Sequence, residues 1–308
     1  MAITLDGLTV KTPPEFAPML MKQAFEQSVV GQLTPSEPLP LQGKSIPVYD
    51  GGFEVGYVPE GGAKPVSDVQ FSVKKITPIK LAGIILVSME AARLDPAGMM
   101  RIIEADMRNA ISRGIDYGVL YGKSAYDGTD IPAVTAVNQT TNRVELDLAK
   151  DLTPQIIAGY DLAAANLNAD PNGFAFDSQL RSKVAMATQV MRTPQGAPQP
   201  MPNLAVAADT VAGLKAAYGR VVAGRVGSQG DTLVRGFVGD WAKVRWGYGS
   251  QIELASSAEA TVVDAAGKEW HTFQDNMRAY RIEATVGWAI LDPTAFAAYE
   301  VAGTTVTP

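Results

Sequence analysis

The chain has 308 residues, 46% of them hydrophobic, with no cysteine, one histidine and a formal net charge of −6. That length suits one large or two medium domains with a sizeable core. The composition excludes disulfides, thiolate nucleophiles and clustered Cys/His zinc sites, and leaves His271 as the only imidazole for acid-base work. It also speaks against a protein that grips phosphate backbones, because such proteins carry a basic footprint, whereas an acidic surface tolerates nucleic acid without sticking to it.

The N-terminal stretch "MAITLDGLTVKTPPEFAPML" lacks a basic start followed by an apolar segment, so no signal peptide is expected. The longest apolar run, "LAGIILV" at Leu81 to Val87, is far below the ~20 residues that span a bilayer, so a soluble protein without membrane partners is expected. Between Pro14 and Leu33, Phe16, Met19, Leu20 and Phe25 recur at near-helical spacing, and the proline-rich "TPSEPLPLQG" follows. This reads as an extended arm carrying a short amphipathic helix.

Residues Ile46 to Val87 read as a long hairpin, with a turn-rich tip from Glu60 to Ser67 and Val69, Phe71 and Val73 alternating against Gln70, Ser72 and Lys74. A two-stranded hairpin is marginal in water, and this one has too few apolar residues to make a core. It is therefore expected to rest on a neighbouring subunit. The alternative is an edge hairpin folded back on its own domain.

Next, Asp95-Pro96 reads as a cap and first helical position, and Ile103, Met107, Ile111, Ile115 and Val119 recur every fourth residue. A helix from Pro96 to about Tyr121 would be roughly 39 Å long at ~1.5 Å per residue. Gly114 and Gly118 within it point to close packing against another backbone. Gly-Lys-Ser at Gly122 to Ser124 resembles the tail of a phosphate-binding loop, but Tyr117 stands where that loop needs its first glycine. Gly122 would end the helix, and a carbonyl end is the wrong pole for phosphate. A nucleotide-dependent enzyme is the distant alternative that this tripeptide keeps open.

Beyond the helix, Thr153 is expected to cap a helix with Pro154 at its first position and Ile156, Ile157, Tyr160 and Leu167 as its apolar stripe. "GFAFD" reads as a strand, and Ser178 as the cap of "QLRSKVAMAT". "MRTPQGAPQPMPN" reads as an exposed loop and "GRVVAGRVGSQGD" as a flexible one. Tyr280, Ile282, Ala284, Val286, Trp288 and Ile290 alternate with Arg281, Glu283 and Thr285, the pattern of a long half-buried strand. No catalytic constellation emerges. His271, beside Trp270, is expected to be a strand or loop residue, and "DPNGFAFD" and "DGTD" lack the ligand spacing of a calcium loop and read as turns, so no metal or cofactor is expected.

The order of "VPEGGAKPVSDVQF", "KITPIKLAGIILVSMEAARLD", "GIDYGVLYGKS", "GFVGDWAKVRWGYGSQIELASS" and "FQDNMRAYRIEATVGWAILDPTAF" resembles the major capsid proteins of tailed bacteriophages with the HK97-type fold. The resemblance covers roughly residues 40 to 297. It implies an α+β fold divided into an N-terminal arm (1–45), an extended hairpin loop (46–87), a peripheral domain with a spine helix (88–150), an axial domain (151–265) and peripheral return strands with the C-terminus (266–308). It implies many copies, as hexamers and pentamers, forming an icosahedral shell around double-stranded DNA without sequence-specific contacts. A portal and a possible decoration protein come with that reading, as does assembly in the host bacterial cytoplasm. The chain opens without a long built-in scaffold segment, so a separate scaffolding protein is expected. An encapsulin-type compartment shell, which encloses cargo enzymes, is the nearer alternative.

Some members of that family weld their subunits by an isopeptide bond. Matched residue by residue, the lysine is Lys64 in "EGGAKP", the asparagine Asn276 in "FQDNM" and the glutamate Glu283 in "RIEA". On one regular strand Asn276 and Glu283 would stand roughly 23 Å apart on opposite faces, so a weld has to draw its parts from neighbouring subunits. The plainer reading makes Lys64 part of a solvated turn, Asn276 a strand-entry residue and Glu283 a partner of Arg281 or another neighbour.

Overall fold

The computed structural model describes residues 28–49, 55–67, 71–90, 99–166, 168–185, 188–192, 198–202, 210–264 and 266–301. The expected helix around Phe16 to Phe25, the cap at Asp95-Pro96, and Val69, Gln70 and Leu167 lie outside these residues. In chain order the elements begin with α1 (Val29–Leu33), β1 (Glu37–Pro38), β2 (Lys44–Tyr49), β3 (Phe71–Ile76), β4 (Ile79–Ser88) and α2 (Met99–Tyr121). There follow β5 (Arg143–Leu146), α3 (Leu152–Ala164), β6 (Gly173–Phe176), α4 (Arg181–Ala185), β7 (Thr188–Arg192), β8 (Pro198–Pro202), β9 (Thr210–Val211) and β10 (Leu214–Tyr218). The last are β11 (Val234–Gly239), β12 (Val244–Ser257), β13 (Thr261–Val263), β14 (Glu269–His271), β15 (Met277–Ile290) and β16 (Phe296–Val301).

Two sheets organise the body. One has the order β1-β12-β15-β4 and the other β5-β16-β11-β6-β10-β9. The alternation expected in β15 is present: Ala284, Val286, Trp288 and Ile290 are buried and join the main core with Ile111, Ile115 and Val119 of α2. At its far end the strand is covered on both faces, because Leu39, Ile76 and Ala289 form a second small cluster there.

The spine helix α2 ends as its sequence dictates. Gly122 takes φ +69° and donates its amide to the Gly118 carbonyl at 2.7 Å, the left-handed closure that glycine accepts without a Cβ penalty. Gly114 and Gly118 are closely approached, but by side chains rather than by a backbone: a Cβ on Gly114 would lie 3.0 Å from Leu81 Cδ1, and one on Gly118 would lie 2.6 Å from Trp288 Cη2. The Trp288 ring is held in place, since its Nε1 donates to the Thr135 carbonyl at 3.1 Å. Gly118→Ala is therefore expected to destabilise the subunit by about 2 kcal/mol, overpacking outweighing the gain in helix propensity. Gly114→Ala, facing the movable end of a leucine, should be near neutral; thermal melts of the two variants check the contrast.

Several expectations are corrected by the pairing. The hairpin expected over 46–87 is shorter, because β4 pairs with β15 from Ile79↔Val286 to Ser88↔Met277 and belongs to the first sheet. Pro78 interrupts the run from β3, and the continuous apolar stretch that follows carries no period to distinguish a finger from a sheet strand. The finger proper is β2–β3, in register from Lys44↔Ile76 to Tyr49↔Phe71.

Sheet membership also crosses the expected domain limits, because strand pairing is non-local. β12, placed with the axial region, lies in the sheet of β4 and β15, whereas β5 and β16 join the six-stranded sheet. Within the expected arm, Val29 and Val30 are buried in the main core. α3 starts at Leu152 with Asp151 as cap, so Pro154 is its third residue, and Asp177 rather than Ser178 caps the turn before α4. The expected loop from Met191 to Asn203 contributes to an antiparallel pair, β7 with β8. "GRVVAGRVGSQGD" is no loose loop: Val221, Val222 and Val226 are buried, and the Tyr121 hydroxyl donates to the Val222 carbonyl at 2.5 Å.

The chain passes between the two sheets twice in close proximity, from β11 to β12 and from β15 to β16. Each passage is a short 3₁₀ turn capped by an aspartate, Asp240 before Trp241–Lys243 and Asp292 before Pro293–Ala295. The passages are tied to each other, since Asp240 donates its amide to Ala295 at 3.2 Å and Leu291 donates to Lys243 at 2.9 Å. Buried Trp241 and Phe296 pack edge to face across them, with ring centroids 5.4 Å apart.

Candidate assembly surface

The finger presents its apolar side chains to solvent. Phe71 and Val73 of β3 are about two-thirds exposed while Ser72 and Lys74 between them are less so, the reverse of a strand lying on its own core. Tyr49 and Phe71 face each other across the pair, ring centroids 5.6 Å apart. Towards the tip Val55 and Tyr57 stand open and Val66 is 98% exposed. Among its described residues the base is embedded, where Ile76 is buried with Leu39. Large apolar side chains exposed together on one element make it a candidate interaction surface.

The three candidate weld residues are not gathered within the chain. Lys64 is exposed near the tip, beyond the turn at Gly61. Asn276 is exposed at φ +53° just before β15, with its carbonyl accepting from the Met89 amide at 2.8 Å. Glu283 lies mid-strand with both oxygens engaged, Oε2 by Lys80 Nζ and Oε1 by Arg281 Nε, each at 3.2 Å. That matches the plainer reading of Glu283 and opposes its action as a free base. His271 ends β14, with Nδ1 3.2 Å from the Thr261 hydroxyl across the hairpin. Lys123 sits past the carbonyl end of α2 and faces Asp130 at 3.8 Å. Among the described residues no cluster of three or more His, Asp or Glu side chains could hold a metal ion, and no helix is long and apolar enough to cross a membrane.

One centre escaped the sequence reading. Asp116, in the C-terminal part of α2, is fully buried and caps α1: its Oδ1 accepts from the Ser28 hydroxyl at 2.5 Å and from the Val30 amide at 3.1 Å, and its Oδ2 accepts from the Val29 amide at 2.8 Å. Burial pushes its carboxyl up to about 6, against the downward pull of those three donors. The available signal was a charge inside "IDYGVL", a stretch whose helical neighbours Ile115, Val119 and Leu120 are all core residues.

With this geometry in hand, comparison with known proteins is decisive: residues 9–301 match the phage capsid family. The chain belongs to that family. It is similar to the probable major capsid protein gp17 of Mycobacterium phage L5, 29% identical over 133 residues that make up 43% of this chain and 39% of that protein. The corresponding protein of Mycobacterium phage D29 is 27% identical over 133 residues. The aligned segment thus spans only about two-fifths of the length of these curated relatives. Over the whole fold, a solved chain from Gordonia phage Cozz superposes with a TM-score of 0.73 at 28% identity, covering 90% of this chain and 87% of that one. The capsid of a native GTA particle shares the fold at a TM-score of 0.56 and 12% identity, covering 98% of this chain and 94% of that one. This capsid-family chain has the α+β, HK97-type architecture, with a spine helix against a long sheet, a second sheet and a projecting hairpin.

Proposed function

We propose that this chain is the major capsid protein of a tailed bacteriophage, assembling as hexamers and pentamers into an icosahedral shell that encloses double-stranded DNA. The observation that carries assembly is the bare apolar finger, a surface that finds no cover among the described residues. The net charge of −6 supports a lining that holds DNA without gripping it. A separate scaffolding protein, a portal and a decoration protein are the partners of this reading, and the host bacterial cytoplasm is the site of assembly. Electron microscopy of the purified protein, with nuclease treatment followed by extraction, tests it: closed shells protecting DNA in phage-derived particles are expected. Shells filled with a cargo protein would favour the encapsulin-type reading, and a persistent monomer would overturn both.

A covalent weld is a second reading, supported by the presence of Lys64, Asn276 and Glu283 and by the exposure of the first two. The Lys64 amine would lose a proton to Glu283 and attack the Asn276 side-chain carbonyl carbon. A C–N bond forms and ammonia leaves. Glu283 would first have to release Lys80 and Arg281. On this reading boiled mature shells run on an SDS gel as a ladder that Lys64→Arg collapses, whereas a single 32.6 kDa band removes the weld.

A further inference from the structure

Between β12 and β15 the chain turns through the small hairpin β13–β14, which is tied more heavily than three-residue strands alone would allow. Asp264 closes its tip by accepting from the Ala266 and Lys268 amides and from Trp270 Nε1, each at 2.9 Å. At the other end buried Thr272 pins Ala260: its hydroxyl donates to the Ala260 carbonyl at 2.9 Å and accepts from the Ala260 amide at 2.7 Å. These ties hold the two faces of the hairpin in a fixed shape. Thr261 pairs with His271 and Val263 with Glu269, so these four share one face, while Val262 and Trp270 take the other. Glu259 and Phe273 extend the first face, where with Thr261 and His271 they border an open hollow of about 430 Å³.

The charges are sorted between the faces. From Glu259 to Asp275 four carboxylates stand against one lysine, which is half of the chain's net charge of −6. That lysine, Lys268, is drawn to the far face, with Nζ 3.5 Å from the centre of the Trp270 ring. The hollow is left with the exposed Glu259 carboxylate, which has no ion-pair partner among the described residues, beside a Phe273 ring that is 81% exposed. We propose that this hollow is a docking site for an arginine-bearing basic segment of a partner protein, the guanidinium lying on Phe273 and bonded to Glu259. A planar guanidinium stacks on an aromatic face and pairs with a carboxylate at once, which suits these two groups side by side. Lys268 on Trp270 is the same kind of contact, already made within the chain on the opposite face. The sign of the charge selects the partner: a second copy brings another −6 and the same acidic face, whereas a basic protein is steered towards it.

His271 borders the hollow and is the chain's only histidine, so its imidazole proton signals report on this site alone. Full-length dissociated subunits are titrated with a Gly-Arg-Gly-Arg-Gly peptide and with the same peptide carrying citrulline, the uncharged analogue of arginine. The arginine peptide is expected to move the His271 signal along a saturating curve, and the citrulline peptide to leave it in place. Phe273→Ala and Glu259→Gln should each weaken binding about three- to fivefold, and since both side chains are exposed the variants keep the fold. Absence of a saturating shift overturns the site. So does an affinity that Phe273→Ala leaves unchanged, which marks general attraction to an acidic surface. Movement of the signal when subunits are concentrated without peptide would make a second copy the occupant and overturn the basic partner. None of these outcomes turns on shell formation, which electron microscopy decides separately.

Discussion

Replacing Tyr57, Val66 and Phe71 together by serine should abolish shell formation while leaving the subunit folded. All three side chains stand in solvent on the isolated chain, so removing them takes nothing from its core. Substitutions of that kind usually shift subunit stability by within about 0.5 kcal/mol each. In the proposed assembly the same side chains are covered, and an apolar side chain contributes about 2 kcal/mol on burial. Three of them amount to roughly 6 kcal/mol per subunit contact, about four orders of magnitude in the association constant at 1.4 kcal/mol per decade. Sedimentation velocity should show a single slow species for the triple variant at concentrations where the parent forms shells, with overlapping melting curves. Shells at parental yield would remove the finger from the assembly mechanism.

Asp116 should make the subunit more stable in mild acid than at neutrality, opposite to the behaviour of an ordinary surface aspartate. Its carboxyl is raised to about 6 in the folded chain from 3.8 when unfolded, so the folded state binds the proton more tightly. The associated stability is fully present below pH 4 and is lost as pH rises through 6. A shift of about two units corresponds to about 3 kcal/mol between those limits. Asp116→Asn removes the titrating group while keeping an acceptor oxygen, so urea unfolding of subunits should show the parent gaining about 3 kcal/mol on this variant from pH 7 to pH 4. A difference that stays constant with pH would overturn the assignment. Asp116→Ala leaves the Ser28 hydroxyl and the Val29 and Val30 amides without their acceptor, and exchange at those amides should rise sharply.

The contrast between these two sites shows what a linear reading can reach. β15 was legible because Arg281, Glu283 and Thr285 alternate with the apolar residues from Tyr280 to Val286, and the end of α2 because Gly122 follows an apolar row at helical spacing. β4 was not separable from the finger, since "LAGIILV" is apolar in both phases and only its partner strand decides where it lies. The partition of strands between the sheets was equally hidden: β5 finds β16 across more than 150 residues, as Arg143↔Ala298 shows. Asp116 and Ser28 are separated by 88 residues, and neither carries a local sign of the other. Lys64, Asn276 and Glu283 could be nominated by resemblance, but the ion pairs that occupy Glu283 depend on Lys80 lying on the adjoining strand.

The twin passages at Asp240–Lys243 and Leu291–Ala295 work like the two knuckles of a door hinge pinned side by side. A single connector would let the halves swivel and twist; two, laced together by amides and wedged by Trp241 against Phe296, leave at most one axis of bending. A subunit so braced behaves as a lever, carrying tilt at one end directly to the other. In the proposed shell, differences in curvature between one subunit's surroundings and another's would then be absorbed where subunits meet rather than inside the body.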